Sequence, residues 1–565
     1  MEFRVKGPEL EIPADSVCMV MTINRQTWDG FYLGDGVYAV RHATYALGTM
    51  PYTIVSDIPG FPNQKGEITV ENVWPGRQRE SDFKLGDNWY TDRSDEALFH
   101  NNQHGFKTVS KWRIDAMSDW AERWSWLKKK KPRVIVTTDG EIDDQSSMVH
   151  FLMFSSDYDV AGIVQVNGVQ KDGHSKDRWI EAQIEQYAQV VPNLRLHDPD
   201  YPEAESLMNV LKVGNEVRGD MYKAPPLLSH SEGAQLIIDV LLDDDPRPVH
   251  ILAWGGANTQ ANALWQIKAN HSPEAWQRAV SKARLYCIWY QDGGGKWIEE
   301  HLPEIVIYES GAPFRDGGWR YVWDYMSVDH YYKNRPSKNP KQLQAIMDKP
   351  WLTEQIKSGH GPLCAAYPQD YTSEGDSPSF MPLINNGLEQ HLDYTLGGWG
   401  GRPEYRKGNH LQDGKDLDPS ADTLSTHYAF QRWLPAAQNE WAARADWCVK
   451  PYHQANHPPV ISLKSSANLI ARPGDEIKME ISANDPDGDR LTYRWWQYVE
   501  AGSYRNSVTL SNNDNYKAHF TIPLDAIATD KIHLICEVTD CGSPRLTRYQ
   551  RFIISVESDL RDNLK

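Results

Sequence analysis

The stretch from Arg133 to Asp144 constrains the fold more than any other part of this sequence. A β-branched run from Val134 to Thr138 leads into four carboxylates around one glycine, and a helix-like segment follows from Gln145 to Phe154. Ligands of open α/β sheets bind at the carboxyl ends of the strands. Crowded carboxylates repel one another, and a hard divalent cation removes that cost by taking their oxygens as ligands. The positive end of the following helix also favours ionised aspartates. We therefore expect a metal-dependent hydrolytic site here.

An acidic turn before a helix has a second explanation, because Asp caps helix N-termini and tolerates tight turns. The spacing alone leaves both interpretations open. A calcium loop of the helix-loop-helix type is not supported, since it requires acidic residues at alternate positions and a distal Glu. A strand-end phosphotransferase of the Asp-x-Asp type would need an aspartate nucleophile where this chain has Thr137.

The size and charge of the chain limit its partners. With 565 residues it is too long for one hydrophobic core, so several domains are expected. A net charge of -18 without a basic stripe argues against a nucleic-acid partner. The basic run Lys128–Lys131 is typical of a solvated linker. The 22 Trp and 27 Tyr residues suit sugar faces, although most of them are expected in packing.

The cysteines and the apolar segments indicate no special site. No Cys-x-x-Cys pair occurs, so the sequence supports neither a zinc ribbon nor a thioredoxin-like site. Cys536 and Cys541 either form a bridge around a turn or remain free thiols. No stretch is long and apolar enough to span a membrane, and Met1–Arg4 is not a signal peptide.

Patterns along the chain predict three domains. Residues 1–113 are β-rich, with short runs separated by Asp-Gly and Pro-Gly turns, which favours a sandwich. Residues 132–450 alternate strands and helices, which indicates an α/β domain with a mostly parallel sheet. Residues 457–565 have strands spaced as in an immunoglobulin-like β-sandwich. A helix is expected from Ile114 to Lys131, and long loops over a site are expected from Asp316 to Trp447.

Two features of the last domain have alternative explanations. The segment Asp485–Asp489 reads Asp-Pro-Asp-Gly-Asp, which is typical of a hairpin turn but also offers oxygens for calcium. Trp495 and Trp496 alternate across a predicted strand, so one faces the core and the other faces outward, where it is a candidate binding platform.

The central stretch resembles the signature of nucleoside hydrolases, in which a strand leads into Asp-x-Asp-Pro-Gly-x-Asp-Asp. Asp139, Asp143 and Asp144 match its last three acidic positions, whereas Thr137 replaces the first Asp, and Gly140 and Glu141 replace Pro-Gly. The segment Gly162–Gly168 is similar to the second strand of that family. Trp254–Thr259 is similar to its Gly-Pro-Leu-Thr-Asn turn, which supplies a backbone carbonyl to calcium.

The chain also resembles secreted bacterial proteins described as cellulose-binding with a nucleoside-hydrolase-like domain. The resemblance runs from about Pro132 to the end. It is carried by the following motifs: Thr138–Asp144, Tyr290–Asp292, Glu374–Phe380, Gly397–Arg402, and Val538–Asp540 before Leu546–Arg548. It implies a secreted or periplasmic protein with a carbohydrate substrate.

The resemblance implies a calcium site and roles for its residues. The expected ligands are Asp139, Asp143, Asp144, Asp376 and the backbone carbonyl of Asn258. Calcium would lower the pKa of a bound water, Asp139 would take its proton as general base, and the water would attack an oxocarbenium-like carbon. Asp292 and Glu374 are the candidate acids for the leaving group.

Four further residues are candidates for binding the substrate, namely Asn167, Trp319, Trp399 and Arg402, of which the two Trp residues lie in Gly-rich segments. No His precedes Asp376, although nucleoside hydrolases have one there, and their ribose-binding Asn-Glu-Asn segment has no clear counterpart. We therefore expect a calcium-dependent glycoside hydrolase acting on a polysaccharide or oligosaccharide. The alternative is a non-catalytic carbohydrate-binding protein on the same scaffold, and an intracellular nucleoside hydrolase is the least favoured.

Overall fold

The structure is a computed structural model. It describes residues 2–12, 16–43, 48–70, 131–169, 172–311, 340–463 and 466–557, together with four single residues between 113 and 120. The chain forms two compact units, residues 1–129 and 130–565. The helix predicted from Ile114 to Lys131 falls almost entirely outside the described residues.

The first unit contains one antiparallel sheet. Its six strands are β1 (Glu2–Lys6), β2 (Val17–Ile23), β3 (Gln26–Gly34), β4 (Val37–Arg41), β5 (Gly48–Val55) and β6 (Gln64–Val70), in the order β1-β4-β3-β2-β5-β6. Alternate residues such as Met19, Met21 and Ile23 are buried, as expected for a sheet with one covered face. The β-rich prediction is confirmed, but the described residues form a single sheet and not the expected sandwich.

The second unit begins with an eight-stranded sheet. Its strands are β7 (Arg133–Thr138), β8 (Asp159–Gln165), β9 (Leu211–Val213), β10 (Val249–Ala253), β11 (Ala283–Ile288), β12 (Val306–Ser310), β13 (Pro403–Lys407) and β14 (His410–Asp413). They lie in the order β13-β14-β12-β11-β10-β7-β8-β9, and every neighbouring pair is parallel except β13 with β14. A hairpin of β15 (Asp416–Asp418) and β16 (Thr423–Ser425) follows.

Helices cover this sheet. They are α1 (Ile142–Met153), α2 (Trp179–His197), α3 (Ala204–Asn209), α4 (Glu232–Leu242), α5 (Asn258–Asn270), α6 (Pro273–Lys282), α7 (Gly293–His301), α8 (Lys341–Gln344), α9 (Lys349–Leu352), α10 (Gly361–Ala365), α11 (Tyr428–Gln431) and α12 (Leu434–Trp447). Every residue of β7 and β10 is buried, as in parallel sheets covered on both faces. Val134 and Val136 pack into one apolar core, and Ile135 packs into another. The sheet therefore separates two cores, because successive side chains of a strand point to opposite faces.

The chain ends in a β-rich region. Its strands are β17 (Val460–Ser462), β18 (Asn468–Ala471), β19 (Glu476–Glu480), β20 (Ser482–Asn484), β21 (Thr492–Gln497), β22 (Lys517–Thr521), β23 (Lys531–Thr539) and β24 (Thr547–Val556). The largest sheet has the order β18-β24-β23-β21, and β17 pairs with β20 and β19 with β22. Trp495 fills the core between them with Phe520 and Phe552. The predicted β-rich N-terminal part, α/β central part with a mostly parallel sheet and β-rich C-terminal part are confirmed, and the exact domain boundaries stay predictions.

The α/β domain and the C-terminal β region are joined by direct contacts within the second unit. The backbone N–H of Tyr549 donates to the carbonyl of Asn386 at 2.9 Å, and Arg551 Nη2 donates to the carbonyl of Gly397 at 2.7 Å. Among the described residues, no helix is both long and apolar enough to cross a membrane.

Candidate metal centre

The acidic turn lies between the end of β7 and the start of α1. Gly140 sits at φ +76°, in the left-handed region that a residue with a side chain seldom adopts. The Thr138 hydroxyl and the Asp139 backbone N–H, the latter at 3.1 Å, both donate to Oδ1 of Asp144. The Glu141 backbone N–H donates to Oδ1 of Asp139 at 3.2 Å. These bonds fold the turn over the first turn of α1 and hold its carboxylates together.

The loop that carries Asp376 adds a carboxylate to those of the turn and of α1. Asp376 stands just before a 3₁₀ turn, Ser377–Ser379. Asp143, Asp144 and Asp376 each offer a carboxylate oxygen, and these three oxygens lie within 4.8 Å of one another. Asp139, Asp143, Asp144 and Asp376 are all buried. The structure thus brings together the carboxylates of three of the four aspartates predicted as metal ligands, and the fourth, Asp139, contacts Asp144 through its backbone N–H.

Three oxygens of this group have no hydrogen-bond partner among the described residues: Oδ2 of Asp139, Oδ1 of Asp143 and Oδ2 of Asp376. Burial, together with the neighbouring carboxylates, raises the pKa of Asp139, Asp143 and Asp376 well above the usual range. Buried polar atoms are normally paired, so unpartnered ones point to a bound species. Several carboxylate oxygens without donors suit a hard cation such as calcium. The residues therefore fit the expected metal.

Asn167 lies two residues beyond the end of β8 and faces the same region. Its side chain is buried, and neither Nδ2 nor Oδ1 has a partner among the described residues. A Cβ atom on Gly168 would lie 2.3 Å from Oδ2 of Asp139, and one on Gly255 would lie 2.8 Å from Cβ of Asp139. Only glycines allow these loops to approach so closely, so Asn167 and Asp139 belong to one site.

The carboxylate of Asp292, a predicted proton donor, is held by backbone hydrogen bonds. It caps α7 and accepts the backbone N–H groups of Ala257 at 3.0 Å, Asn258 at 3.0 Å and Gly294 at 2.8 Å. Burial raises the pKa of Asp292 to about 6, although the three N–H groups oppose that shift. Both oxygens are engaged with backbone, which favours a positioning role over that of a proton donor.

Asn258 is the first residue of α5 and is fully buried. Its Nδ2 donates to the carbonyl of Asp220 at 3.1 Å, and its Oδ1 has no partner among the described residues. The first carbonyls of a helix normally accept hydrogen bonds within the helix. The side-chain Oδ1 of Asn258 is therefore a second candidate ligand for a cation, and the predicted role of its backbone carbonyl stays a prediction.

Glu374 is also engaged by its surroundings. Its side chain is fully buried, with Oε2 at 2.8 Å from His150 Nδ1 and 2.6 Å from Ser377 Oγ, while the Tyr367 hydroxyl donates to Oε1 at 3.0 Å. The His150 ring stacks on Trp441 with centroids 4.3 Å apart. This network ties the loop that carries Asp376 to α1, so the geometry favours a structural role for Glu374 over that of a general acid.

Two predicted sugar-binding residues lie in packed seams instead. Trp399 is 3% exposed, and its Nε1 lies 3.5 Å from the Tyr549 hydroxyl on β24. Arg402 donates through Nε to Asp416 at 2.7 Å. The Trp399 ring is thus buried and the Arg402 guanidinium is paired within the protein, and their roles in sugar binding stay predictions. Trp319 lies outside the described residues.

The two features of the C-terminal region are also engaged within the protein. Trp496 packs beside Trp433 and under the Arg432 guanidinium, 4.5 Å from its ring centre, so the predicted outward platform contacts the α/β domain. Asp485 Oδ1 accepts the backbone N–H groups of Asp487 at 2.9 Å and Asp489 at 3.0 Å, as in a hairpin turn. Cys536 and Cys541 are free thiols in the structure.

Sequence reasoning missed Gln260. Its Nε2 donates to Oγ1 of Thr137 at 2.6 Å, and Thr137 Oγ1 donates to the carbonyl of Leu252 at 3.3 Å. A neutral Thr–Gln pair thus stands where the nucleoside hydrolase signature has its first Asp. The replacement of the signature's first Asp by Thr137 indicates that this buried hydroxyl needs a hydrogen-bond partner. The sequence does not show that the partner is Gln260.

Two family models match the chain. One, described as the nucleoside hydrolase-like domain of cellulose-binding Sde182, matches residues 133–403. The other, described as the C-terminal domain of cellulose-binding protein Sde0182, matches residues 476–556. No curated protein matches the chain significantly.

One solved structure is similar over most of the chain. It is a nucleoside hydrolase-related hypothetical protein from Saccharophagus degradans that is associated with carbohydrate metabolism, with 30% identity and a TM-score of 0.62, covering 76% of this chain and 100% of that one. Two others have low scores. The SrpA adhesin of Streptococcus sanguinis has 16% identity, covers 20% of this chain and 60% of its own, and has a TM-score of 0.13. A putative glycoside hydrolase of Bacteroides vulgatus has 9% identity, covers 98% of each chain and has a TM-score of 0.17.

Such low TM-scores carry no information on fold or activity, whereas the Saccharophagus degradans protein, like the first family model, is described as related to nucleoside hydrolases. The chain therefore belongs to the cellulose-binding Sde182 family, with its nucleoside hydrolase-like domain followed by the family's C-terminal domain.

Proposed function

We propose that this chain is a secreted or periplasmic, calcium-dependent hydrolase of glycosidic bonds in a polysaccharide or oligosaccharide. The observation that carries the proposal is the group of buried aspartates at the carboxyl end of the sheet, three of whose oxygens lack a partner among the described residues. Without a cation, such a group is costly to bury. A mere helix cap would leave its carboxylates bonded to backbone N–H groups.

The chain's own residues divide the work. Asp143, Asp144 and Asp376 would hold the cation, with Asp139 and the side-chain oxygen of Asn258 beside them. When bound, calcium lowers the pKa of a coordinated water and fixes vicinal hydroxyls of a sugar. Asp139 accepts the proton of the attacking water through Oδ2, the oxygen that no donor occupies. Asn167 offers both an amide donor and an acceptor to sugar hydroxyls.

The family name supports a carbohydrate ligand, because both matching models are described as cellulose-binding. Nucleosides are less well supported, since no His precedes Asp376 to protonate a base. Binding without catalysis is the second candidate function. It is favoured by one observation: both expected proton donors, Asp292 and Glu374, have their oxygens engaged by protein groups.

One experiment separates these functions. Purified protein is assayed on a panel of β-glucans, other glycans and nucleosides, in calcium and in EDTA, together with Asp139→Ala. The matched control is Glu205→Ala, which removes an exposed carboxylate of α3. Glycan turnover that EDTA and Asp139→Ala abolish, and that Glu205→Ala keeps, supports hydrolysis. Glycan binding without turnover of any substrate supports the binding function, and turnover of nucleosides alone contradicts both.

A further inference from the structure

Three side chains, which we call the histidine row, connect the α/β domain to the C-terminal β region. His197 is the last residue of α2, His457 lies just before β17, and Asp487 lies in the turn that follows β20. We propose that this row holds one extra proton at neutral pH and makes the contact between the two regions sensitive to pH.

Hydrogen bonds run through the whole row. Nδ1 of His197 lies 2.9 Å from Nε2 of His457, and Nδ1 of His457 lies 3.0 Å from Oδ1 of Asp487. At the other end, Nε2 of His197 lies 2.8 Å from the carbonyl oxygen of Lys450. The backbone N–H of His457 also donates to Oδ2 of Asp487 at 2.7 Å. All four ring nitrogens therefore take part in one continuous series of hydrogen bonds.

The number of protons in the row follows from the groups at its two ends. A carbonyl oxygen can only accept, so Nε2 of His197 must carry a hydrogen. An ionised carboxylate can also only accept, so Nδ1 of His457 must carry one too. A third hydrogen is needed between the two rings, whereas two neutral imidazoles have only two N–H groups in total. The row therefore contains one proton more than two neutral rings, and the resulting charge lies beside Asp487.

Stacked aromatic rings fix the positions of both histidines. The His197 ring is parallel to that of Trp447, with centroids 5.3 Å apart, and the His457 ring stacks on Tyr452 with centroids 3.8 Å apart. Asn193 Nδ2, one helical turn before His197, donates to the carbonyl of Trp447 at 2.9 Å. Because packing holds the rings, a change in protonation must be met by loss of a hydrogen bond and not by rotation of a ring.

The surroundings of the row oppose a second added proton. Burial lowers the pKa of His197, and the charge of His457 adds to this, although the Lys450 carbonyl, Asp487 and Asp446 act in the opposite direction. His197 is therefore the neutral ring, and His457 carries both of its protons. Other charged or titratable groups on the neighbouring segments are Asp446 and Lys450, which pair at 2.7 Å, His360, Tyr452, Asp485 and Asp198.

This arrangement is most stable near neutral pH. A second proton would place the N–H groups of two cationic rings face to face across 2.9 Å. Because the pKa of His197 in the folded protein lies below the ordinary value of 6.5, the unfolded chain takes up that proton more readily. The stability that His197 contributes is thus present above about pH 6.5 and is lost as the pH falls. In alkali the row loses its extra proton, and one of its three bonds loses its hydrogen.

NMR of the full chain labelled with ¹⁵N-histidine counts these protons. At pH 7 we expect two protonated ring nitrogens for His457 and protonation at Nε2 alone for His197. The second proton of His457 should be absent at pH 7 in Asp487→Asn, which removes the paired charge. A His457 ring with one protonated nitrogen in the wild type, or one that keeps both protons in Asp487→Asn, would overturn the proposal.

Melting temperatures measure the consequence for stability. His197→Phe keeps a ring beside Trp447 but removes both hydrogen bonds of His197, and the exposed His453→Gln is the control. At pH 7 the wild type should melt roughly 2 °C or more above His197→Phe. This margin should shrink to about half or less at pH 5 and again at pH 9.5, while the control follows the wild type throughout.

A margin that is the same at all three pH values would contradict the pH-sensitive contact. If His197→Phe does not fold, Asp487→Asn takes its place, since the Asp487 side chain is 21% exposed and tolerates an amide of equal size. Its margin below the wild type should likewise be largest at pH 7, and a margin independent of pH would again overturn the proposal.

Discussion

The backbone N–H of Asp139 donates to Oδ1 of Asp144 across 3.1 Å, so the turn after β7 closes onto the helix that follows it. The bond engages one carboxylate oxygen of the acidic group and leaves Oδ2 of Asp139 without a partner among the described residues. The turn therefore does more than cap α1, because it leaves a buried carboxylate oxygen of Asp139 available to a cation.

Asp143→Asn should have opposite effects on stability in calcium and in EDTA. In EDTA no cation offsets the repulsion between the buried carboxylates. Replacing Asp143 by a neutral amide removes its share of that repulsion, so the free energy of unfolding of the variant should exceed that of the wild type. In calcium at about one hundred times the dissociation constant the wild type should gain about 2.7 kcal/mol, most of which the variant forgoes. Denaturant unfolding of both proteins in both solutions checks this. Glu205→Gln is the control, and an equal response of all three proteins to calcium contradicts the prediction.

Glu440 should make the free energy of unfolding fall in acid, because its pKa is lower in the folded protein than in the unfolded chain. Burial alone would raise the pKa of Glu440, but the guanidinium groups of Arg548 and Arg444 reverse this and lower it to about 2. Arg548 Nη2 and Arg444 Nη2 each lie 2.9 Å from its Oε1. Because the folded pKa lies below the ordinary value of 4.5, the ionised group stabilises the fold above about pH 4.5. That contribution is lost as the pH falls toward 2.

The expected loss is about 3 kcal/mol, as a pKa shift of this size implies. It is measured by urea unfolding between pH 5 and pH 2.5. Glu440→Gln should be less stable at pH 7 and should lack this component of the pH dependence. A wild type and a Glu440→Gln variant with parallel pH profiles would show that the ion pairs with Arg548 and Arg444 do not act as described.

Arg402→Ala should affect folding and not sugar binding. Its guanidinium pairs with the fully buried Asp416, which also accepts the Tyr498 hydroxyl at 2.6 Å. Removing one partner of a buried ion pair costs about 3–5 kcal/mol when the other charge is left uncompensated. Arg432 Nη1 remains 3.2 Å from Oδ2 of Asp416, so we expect a smaller loss of about 1–3 kcal/mol. Thermal unfolding and glycan affinity are measured beside Lys407→Ala, an exposed cation of β13. Loss of glycan affinity in a stably folded Arg402→Ala protein would restore Arg402 as a binding residue.

Asp292→Asn distinguishes a positioning residue from an acid. An amide cannot accept all three backbone N–H groups, so stability should fall by about 1–3 kcal/mol. A lost proton donor slows substrates with poor leaving groups selectively, whereas a misplaced loop slows all substrates alike. We expect the variant to reduce the turnover of an aryl glycoside and of an alkyl glycoside by the same factor. A selective loss on the alkyl glycoside would make Asp292 the general acid.

Much of the fold follows from the sequence, because its patterns reflect local physics. The apolar run Val134–Val136 of β7 and the alternation of β-branched strands with helices predict a parallel sheet, since strands covered on both faces need no polar side. The acidic turn was also predictable from a local pattern, because Asp139, Asp143 and Asp144 lie within six residues of one another in the sequence. Asp376 came from the family resemblance, and only the fold shows that it lies beside them.

The roles of Trp399, Arg402 and Glu374 were not predictable, because long-range partners decide them. Their sequence neighbours are glycines and small polar residues, which are compatible with a binding loop. Tyr549, Asp416 and His150 lie at least 14 residues away in the chain and convert them into packing and ion-pair residues. The sequence shows that both residues of each pair are present, but it does not show that the fold places them in contact.

Calcium binding by the buried aspartates is measured by isothermal titration calorimetry, in which calcium is added to protein stripped of metal with EDTA. It compares the wild type, Asp376→Asn and the control Glu205→Gln. We expect the wild type and the control each to bind one calcium ion, and Asp376→Asn to lose this binding or to bind at least about tenfold more weakly. No bound calcium in the wild type, or binding that Asp376→Asn leaves unchanged, would show that these aspartates do not form a metal centre.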